Sequence, residues 1–448
     1  MSLQLAESQP EILETSDKCL ESPKYSCALG GALAVLTNIE RVIPIIHAGA
    51  GCGSNQLLSF RAGGGNQGIG YVNGMNTPSS NMQEKEVVFG GEDRLEEQIR
   101  ATIDLIDGDA YVVATGCIAG MIGDDIESVT RKFAGEKTPV AYVNSSGFLG
   151  SSYFGYEEAL VALIEQLTEK RETVKRRVNL LGFVPYQNLF WRGNLQVLAK
   201  TLRDLKLEVN QVIGDFSGLD GVKNLSSAEL TIVVSSWVGT RPARLLEEKY
   251  GIPYVTFPNL PVGPRDTSEF IHKVAGRLKL PKARVREYVE RREKKAYYEL
   301  DIAGDTCAQF AAALPFAVVS DSGTAIGITR FLANQAGFTP TVIVINDDPP
   351  AEVREELTSR LENLGDGLTP KVYFEVDSYF IRKILDDTYH RVILATSQER
   401  FDAQENNRIH LSVGFPALER LVVNDTYAGY EGGISLLEDF LTKFIMPY

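Results

Sequence analysis

The sequence predicts an α/β protein of three Rossmann-like parallel-sheet domains, with helices on both faces of each sheet. Three observations predict it. Short, continuous, β-branched runs recur along the chain, as strands buried on both faces of a parallel sheet require. Amphipathic helical stretches alternate with them, which is the order of stacked βαβ units. The length of 448 residues exceeds what one simple core accommodates.

Residues 1–26 form a polar lead-in. The first domain is expected over 27–175, with strands at 42–46 (VIPII), 110–114 (AYVVA) and 140–143 (VAYV) and helices at 95–106 and 156–172. The charged stretch EKRETVKRRV then leads into a fresh strand and marks a boundary. The second domain, 176–312, has strands at 177–183 and 230–234 and helices at 194–206, 243–250, 267–278 and 283–300. Its last helix carries RVREYVERREKK, where glutamates interleave with basic residues at helical spacing, as on a solvated face with internal ion pairs. The third domain, 313–402, has strands at 317–319, 341–345, 371–375 and 391–395 and helices at 325–336 and 351–363. The segment 403–448 ends in a helix, SLLEDFLTKFI, expected to pack back on the first domain.

Bulk properties narrow the function. A net charge of −14 disfavours a nucleic-acid phosphate partner. No run of about eighteen apolar residues predicts a membrane span. The acidic, polar start MSLQLAESQPEILETSDK lacks the pattern of a secretory signal, so a cytoplasmic location is expected. Five cysteines form no secreted disulfide framework and read better as reduced thiols or ligands.

Three of those cysteines occupy apolar, glycine-rich settings: Cys27 in SPKYSCALGGA, Cys52 in IPIIHAGAGCGSN and Cys117 in VVATGCIAGMIGDDIESV. Cys117 follows a strand at the carboxyl end of a parallel sheet, with a helix expected to begin near Ile122; such turns are where α/β folds bind ligands, and a helix N-terminus favours thiolate. Cys52 lies among Gly49, Gly51 and Gly53 in what reads as a small-residue loop, and no P-loop or G-x-G-x-x-G pattern explains those glycines. Cys27 precedes Gly30 and Gly31 at a helix start. The spacings match no local zinc signature, so the three converge only through tertiary structure, as part of an iron–sulfur site, or else are separate buried structural thiols. Cys19 and Cys307 read as non-ligands. His47 is either a hydrogen-bond donor near the site or a satisfied buried histidine. His272, His390 and His410 lack ligand spacing, and the loop GGGNQGIG at 63–70 reads as flexible.

The three segments resemble the nitrogenase component 1 superfamily. CALGGA at Cys27, HAGAGC at Cys52 and TGCIAGMIGDD at Cys117 match its three cysteine motifs, and TGCIAGMIGDD is long and specific. VVFGGEDRLEEQI (87–99), FLGSSYFGYE (148–157), RLLEEKYGIPY (244–254), GFPALER and TYAGYEGG extend the resemblance over about residues 20–445. It implies the nitrogenase component 1 fold. It implies that Cys27, Cys52 and Cys117 bind half of an iron–sulfur cluster, 4Fe-4S or 8Fe-7S P-cluster-like, shared with an alpha-type partner in a heterotetramer. Electrons would pass from an ATP-dependent iron protein, docked near Phe89, to a metallocofactor in the partner. A serine that touches the cluster in beta-type subunits matches Gly147 here, with Ser146 one residue earlier. Where alpha-type subunits place a cofactor cysteine, this chain has Ser235-Ser236-Trp237, and the C-terminal segment GFPALERLVVNDTYAGYEGG contains no histidine. The resemblance is therefore to the beta type, with the inter-domain crevice expected to be closed by packing or lined by neutral residues around Trp237. A reductase acting on dinitrogen or on carbon–sulfur bonds, of the methylthio-alkane reductase kind, is the expected activity. A cofactor-assembly scaffold and a small-molecule-binding α/β module are the alternatives.

Overall fold

The computed structural model describes residues 20–69, 77–214, 217–310, 313–365 and 367–445. Cys19, residues 1–19 of the lead-in and Gly70 of the glycine-rich loop lie outside them.

The first domain holds β1 (Val42–His47), β2 (Ala110–Thr115) and β3 (Val140–Val143), all parallel, in the order β1-β2-β3. Its helices are α1 (Ala28–Leu36), α2 (Ala50–Gly63), α3 (Glu84–Phe89), α4 (Glu92–Leu105), α5 (Cys117–Ile122), α6 (Ile126–Arg131) and α7 (Ser152–Gln166). Every residue of β1 and β2 is buried, as a sheet covered on both faces demands. Helices α1 and α7 pack backbone to backbone. A Cβ on Gly31 would sit 1.8 Å from the Ser152 carbonyl oxygen, and one on Gly155 1.9 Å from that of Ala28. Only glycine permits this approach.

The second domain has the parallel sheet β5-β4-β6-β7, from β4 (Arg177–Leu181), β5 (Glu208–Asn210), β6 (Leu230–Val233) and β7 (Tyr254–Thr256). Around it lie α8 (Trp191–Asp204), α9 (Leu219–Lys223), α10 (Thr240–Tyr250), α11 (Gly263–Arg277) and α12 (Lys282–Phe310). The short, half-exposed β5 and β7 lack the apolar runs by which most of the strands are predicted. The third domain orders β8 (Pro315–Ser320), β9 (Thr339–Ile345), β10 (Lys371–Phe374), β11 (Val392–Ala395) and β12 (Ile409–Ser412) as β10-β9-β8-β11-β12, again all parallel. Helices α13 (Ser322–Asn334), α14 (Ala351–Ser359), α15 (Ser378–Asp386) and α16 (Glu399–Glu405) flank it. One large core runs through all three domains, with smaller clusters on the outer faces of the first and third sheets.

Three expectations change. The C-terminal helix α17 (Gly429–Ile445) packs mainly on α11, α12, α13, α8 and β12, elements of the second and third domains, rather than on the first. Its apolar face is drawn there by the Phe316–Phe440 and Phe338–Phe440 ring contacts, and Arg292 of α12 pairs with Glu431. The stretch that does reach the first domain is 415–422, through a bridge between Gly64 and Ala417. That contact also overturns the flexible-loop reading of 63–69: Gly63, Gly64 and Gly65 are buried against Phe415, Tyr186 and Val422. Finally, Cys52 lies within the first turn of α2 rather than in a loop, and α5 begins at Cys117 itself, with a second helix, α6, capped by the Asp125 side chain on the Ser128 N–H. Among the described residues no helix is long and apolar enough to cross a membrane.

Candidate metal centre

Three helix starts carry the three thiols. Cys27 is the N-cap of α1 and is held from both sides. The Ser152 N–H donates to the Ser26 carbonyl at 2.7 Å, and the Ala28 N–H to that of Gly150 at 2.9 Å. Cys117 is the first residue of α5 and follows β2 directly. Cys52 follows β1, one strand over in the same sheet. Adjacent parallel strands therefore deliver two of the sulfurs to one sheet end, as open α/β sheets do for ligands.

Two of the sulfurs converge on Gly147. The position a Cβ would take there lies 3.0 Å from the Cys117 Sγ and 3.2 Å from the Cys27 Sγ, so those sulfurs are no further apart than the two distances together. Cys52 shares the neighbourhood: burial first, then the fields of Cys117 and Cys27, push its thiol above the ordinary range. All three thiols are half-buried, neither sealed in a core nor free in solvent. No three His, Cys, Asp or Glu side chains among the described residues converge on a single-ion site.

The surroundings fit a bound group. The absent side chain at Gly147 leaves room between the sulfurs. The Ser26 Oγ, Gln56 Oε1 and Ser152 Oγ, buried beside Cys27, have no hydrogen-bond partner. Orphaned polar atoms of this kind are uncommon in folded proteins and call for a partner. The Gln56 Nε2 donates to the Cys27 Sγ at 3.5 Å. The Ser146 hydroxyl is buried and donates to the Gly116 carbonyl at 3.1 Å, so it braces the Cys117 turn.

His47 is fully buried and doubly bonded. Burial depresses its pKa, leaving a neutral ring whose Nε2–H donates to the Asp124 Oδ2 at 2.9 Å while Nδ1 accepts from the Ser80 hydroxyl at 3.0 Å. Beside the thiols lies an apolar face. Phe89 is 82% exposed, Val88 71%, Met121 70% and Phe148 58%. Helix α3, which carries Val88 and Phe89, touches α5, which carries Met121, and a Cβ on Gly120 of α5 would meet Phe148 at 3.2 Å.

The other residues do not join the centre. Cys307 lies half-buried within α12 against the core. His272 is exposed on α11. His390 is buried on the Thr388 carbonyl and pushed down to about 4 by burial. The His410 Nε2–H donates to the Thr396 carbonyl at 2.7 Å.

The crevice where the second and third sheets end is nearly filled, with a residual volume of about 20 Å³ lined by Tyr153, Asn188, Ser235, Asp321, Ser322 and Asp347 among others. Ser235 turns its Oγ back to accept from the Trp237 and Val238 N–H groups. The expectation of a neutral lining fails. Two carboxyls lie buried here, and Asp347 is pushed up to about 7 by burial and by the field of Asp321. Neither was legible as a pair, because they follow separate strands, β8 and β9, that only the sheet brings together.

Comparison with known proteins places these observations. The family described as nitrogenase component 1 type oxidoreductase matches residues 27–445. The nitrogenase molybdenum-iron protein beta chain of Crocosphaera subtropica is 23% identical over 442 residues, covering 93% of this chain and 82% of its own length. The nitrogenase iron-molybdenum cofactor biosynthesis protein NifE of Clostridium pasteurianum is 30% identical over 286 residues, covering 62% of this chain; the chain spans only 60% of that relative. The solved structure of nitrogenase Cp1 at pH 6.5 superposes with a TM-score of 0.80 at 19% identity, covering 98% of this chain and 95% of that one, which is a likeness of fold.

Proposed function

The chain belongs to the nitrogenase component 1 type oxidoreductase family, and we propose that within it the chain serves as the beta-type subunit of a nitrogenase-like reductase. Cys27, Cys52 and Cys117 would hold the near half of an iron–sulfur cluster at the interface with an alpha-type partner in a heterotetramer. When bound, such a cluster supplies one-electron transfer between a docked reductase and the partner's metallocofactor.

The single observation that carries this reading is the approach of the half-buried Cys27 and Cys117 thiols to the side-chain-free Gly147, with the half-buried Cys52 within reach of both their fields. The residues around it have separate tasks. Gly147 leaves space, Gln56 donates toward the Cys27 sulfur, and Ser146 braces the turn that carries Cys117. The exposed Phe89 face is the proposed dock for an ATP-dependent iron protein. Support for the beta type comes from the near-full-length match to a beta chain and from the crevice, whose Ser235 is tied to its own backbone and offers no thiolate.

The higher local identity to NifE favours one second reading, a cofactor-assembly scaffold with the same fold. We assign the substrate, a carbon–sulfur bond as in methylthio-alkane reductases or dinitrogen, on sequence likeness alone. The test is anaerobic purification with the alpha-type partner, followed by iron analysis, electron paramagnetic resonance and turnover assays. Cluster signal with turnover supports the reductase; a loaded precursor without turnover supports the scaffold; an iron-free, fully assembled complex overturns both.

A further inference from the structure

We infer that Asp124 and His47 are a positioning pair that ties the exposed Phe89 face to the two thiol-bearing turns behind it, so that the affinity of the docking face is set from inside the metal centre. The inference rests on the reading proposed above.

Four separate stretches of chain meet at this pair. Asp124 follows α5 by two residues, after Gly123 at φ +77, and so is fixed to the Cys117 helix. His47 ends β1 and leads into the Cys52 helix. Ser80, which donates to His47, belongs to the stretch preceding α3; Arg94 of α4 donates to its carbonyl at 3.0 Å. The fourth stretch is the one that presents the aromatic. Phe89 is the last residue of α3, Gly90 turns the chain at φ +92, and the Gly91 N–H donates to the Asp124 Oδ1 at 2.9 Å. Asp124 therefore spends one oxygen on the docking segment and the other on His47. The His47 carbonyl in turn accepts from the Gly116 N–H at 2.9 Å, beside Cys117. The Asp125 N–H adds a parallel tie to Glu92 at 2.9 Å.

The energetics favour a geometric purpose. Both side chains are buried, at 0% and 3% exposure. A buried ion or polar pair stabilises a fold no better than apolar packing of the same volume, yet its directional bonds fix one arrangement. Here the arrangement fixed is the distance from Phe89 to the thiols. Nothing else among the described residues bonds the Gly91 N–H. Gly91 itself has no room for a side chain: a Cβ there would lie 2.6 Å from the Asp124 Oδ2, 2.7 Å from the Met82 Cε and 3.0 Å from the His47 Cε1.

The experiment uses the assembled heterocomplex, its ATP-hydrolysing reductase, and four variants: Phe89→Ala, Asp124→Ala, Gly91→Ala and Asp124→Asn. Reductase binding to the immobilised complex gives Kd, steady-state turnover gives KM and kcat, and iron content reports the metal centre. Asp124→Ala and Gly91→Ala are expected to raise Kd and KM about tenfold, the loss of one charge-assisted hydrogen bond, with full iron content and a much smaller fall in kcat. Asp124→Asn still accepts from Gly91 and is expected to stay within about threefold of the parent. Unchanged Kd in the Asp124→Ala and Gly91→Ala variants, with a raised Kd in Phe89→Ala, overturns the positioning pair and leaves the docking face standing. Unchanged Kd in Phe89→Ala overturns the docking face and the pair with it. Loss of iron in all three hub variants, Asp124→Asn included, makes the pair a plain structural element and also overturns the inference.

Discussion

Replacing Gly147 by alanine separates the fold of this chain from its candidate metal centre. The backbone there is not in a left-handed conformation, so alanine meets no backbone strain. The new methyl would lie 3.0 Å from the Cys117 Sγ and 3.2 Å from the Cys27 Sγ and Cβ. Non-bonded carbon prefers roughly 3.5–4.0 Å, so two sulfurs must each give way by about half an ångström. Overpacking of this kind costs about 1–3 kcal/mol, and the reduced freedom of the unfolded chain returns about 0.4–1 kcal/mol. The net loss is at most about 2.6 kcal/mol, too little to unfold a protein of this size and worth a melting shift of only a few degrees. The same displacement acts directly on two proposed ligands, whose tolerance is far smaller than that of a core. Gly147→Ala is therefore expected to assemble with its partner and melt normally, but to retain less than about half the iron of the parent. Thermal melts and iron analysis on the same anaerobic preparation check this. Full iron with an unaltered paramagnetic signal would refute the placement of a cluster between these sulfurs.

Cys117→Ala is expected to lose iron and weaken the heteromeric interface, while Cys307→Ala, on α12, keeps both; parallel iron analysis and size-exclusion chromatography compare them. Gln56→Leu removes the N–H that points at the Cys27 sulfur. Such bonds favour the more negative, reduced state, so the midpoint potential should fall by about 40 mV, the one-electron equivalent of about 1 kcal/mol; redox titration reads it, and an unchanged potential counts against that bond. Asp347 gives a pH test. Its folded-state value, about 7, lies above its ordinary 3.8, so the native state holds a proton that the unfolded state releases, and stability falls as pH rises between those values. Asp347→Asn should therefore stabilise the protein at pH 8 by up to about 4 kcal/mol and make little difference near pH 4. Denaturant unfolding at the two pH values checks it; equal effects at both would show that Asp347 is ionised in the native protein.

Much of this architecture was written in local pattern. The fully buried β1, β2, β6 and β11 are continuous apolar runs and were found as such. The half-exposed β5 and β7 were not, because three polar or mixed residues acquire strand geometry only from the neighbours they pair with. Helix α12 runs to Phe310 instead of ending near residue 300, since its last turns carry no apolar stripe to mark them. The C-terminal helix was assigned the wrong neighbour for a related reason: an amphipathic face announces that it will be covered, but not by what.

What the sequence determined by itself was the class of fold, and it singled out three thiols as candidates, because both readings reside in residue type and short-range spacing. Parallel strands need continuous apolar runs, and cysteines set among glycines at strand ends need a reason. What only the tertiary structure decided was mutual placement. Gly147 touching two sulfurs, Gln56 reaching back to Cys27, Asp124 joining His47 to Gly91, and Asp321 sharing a crevice with Asp347 are all contacts between distant segments. Each depends on sheet order and on the packing of helix against helix, quantities fixed by burying the whole core at once and not by any window of residues within it.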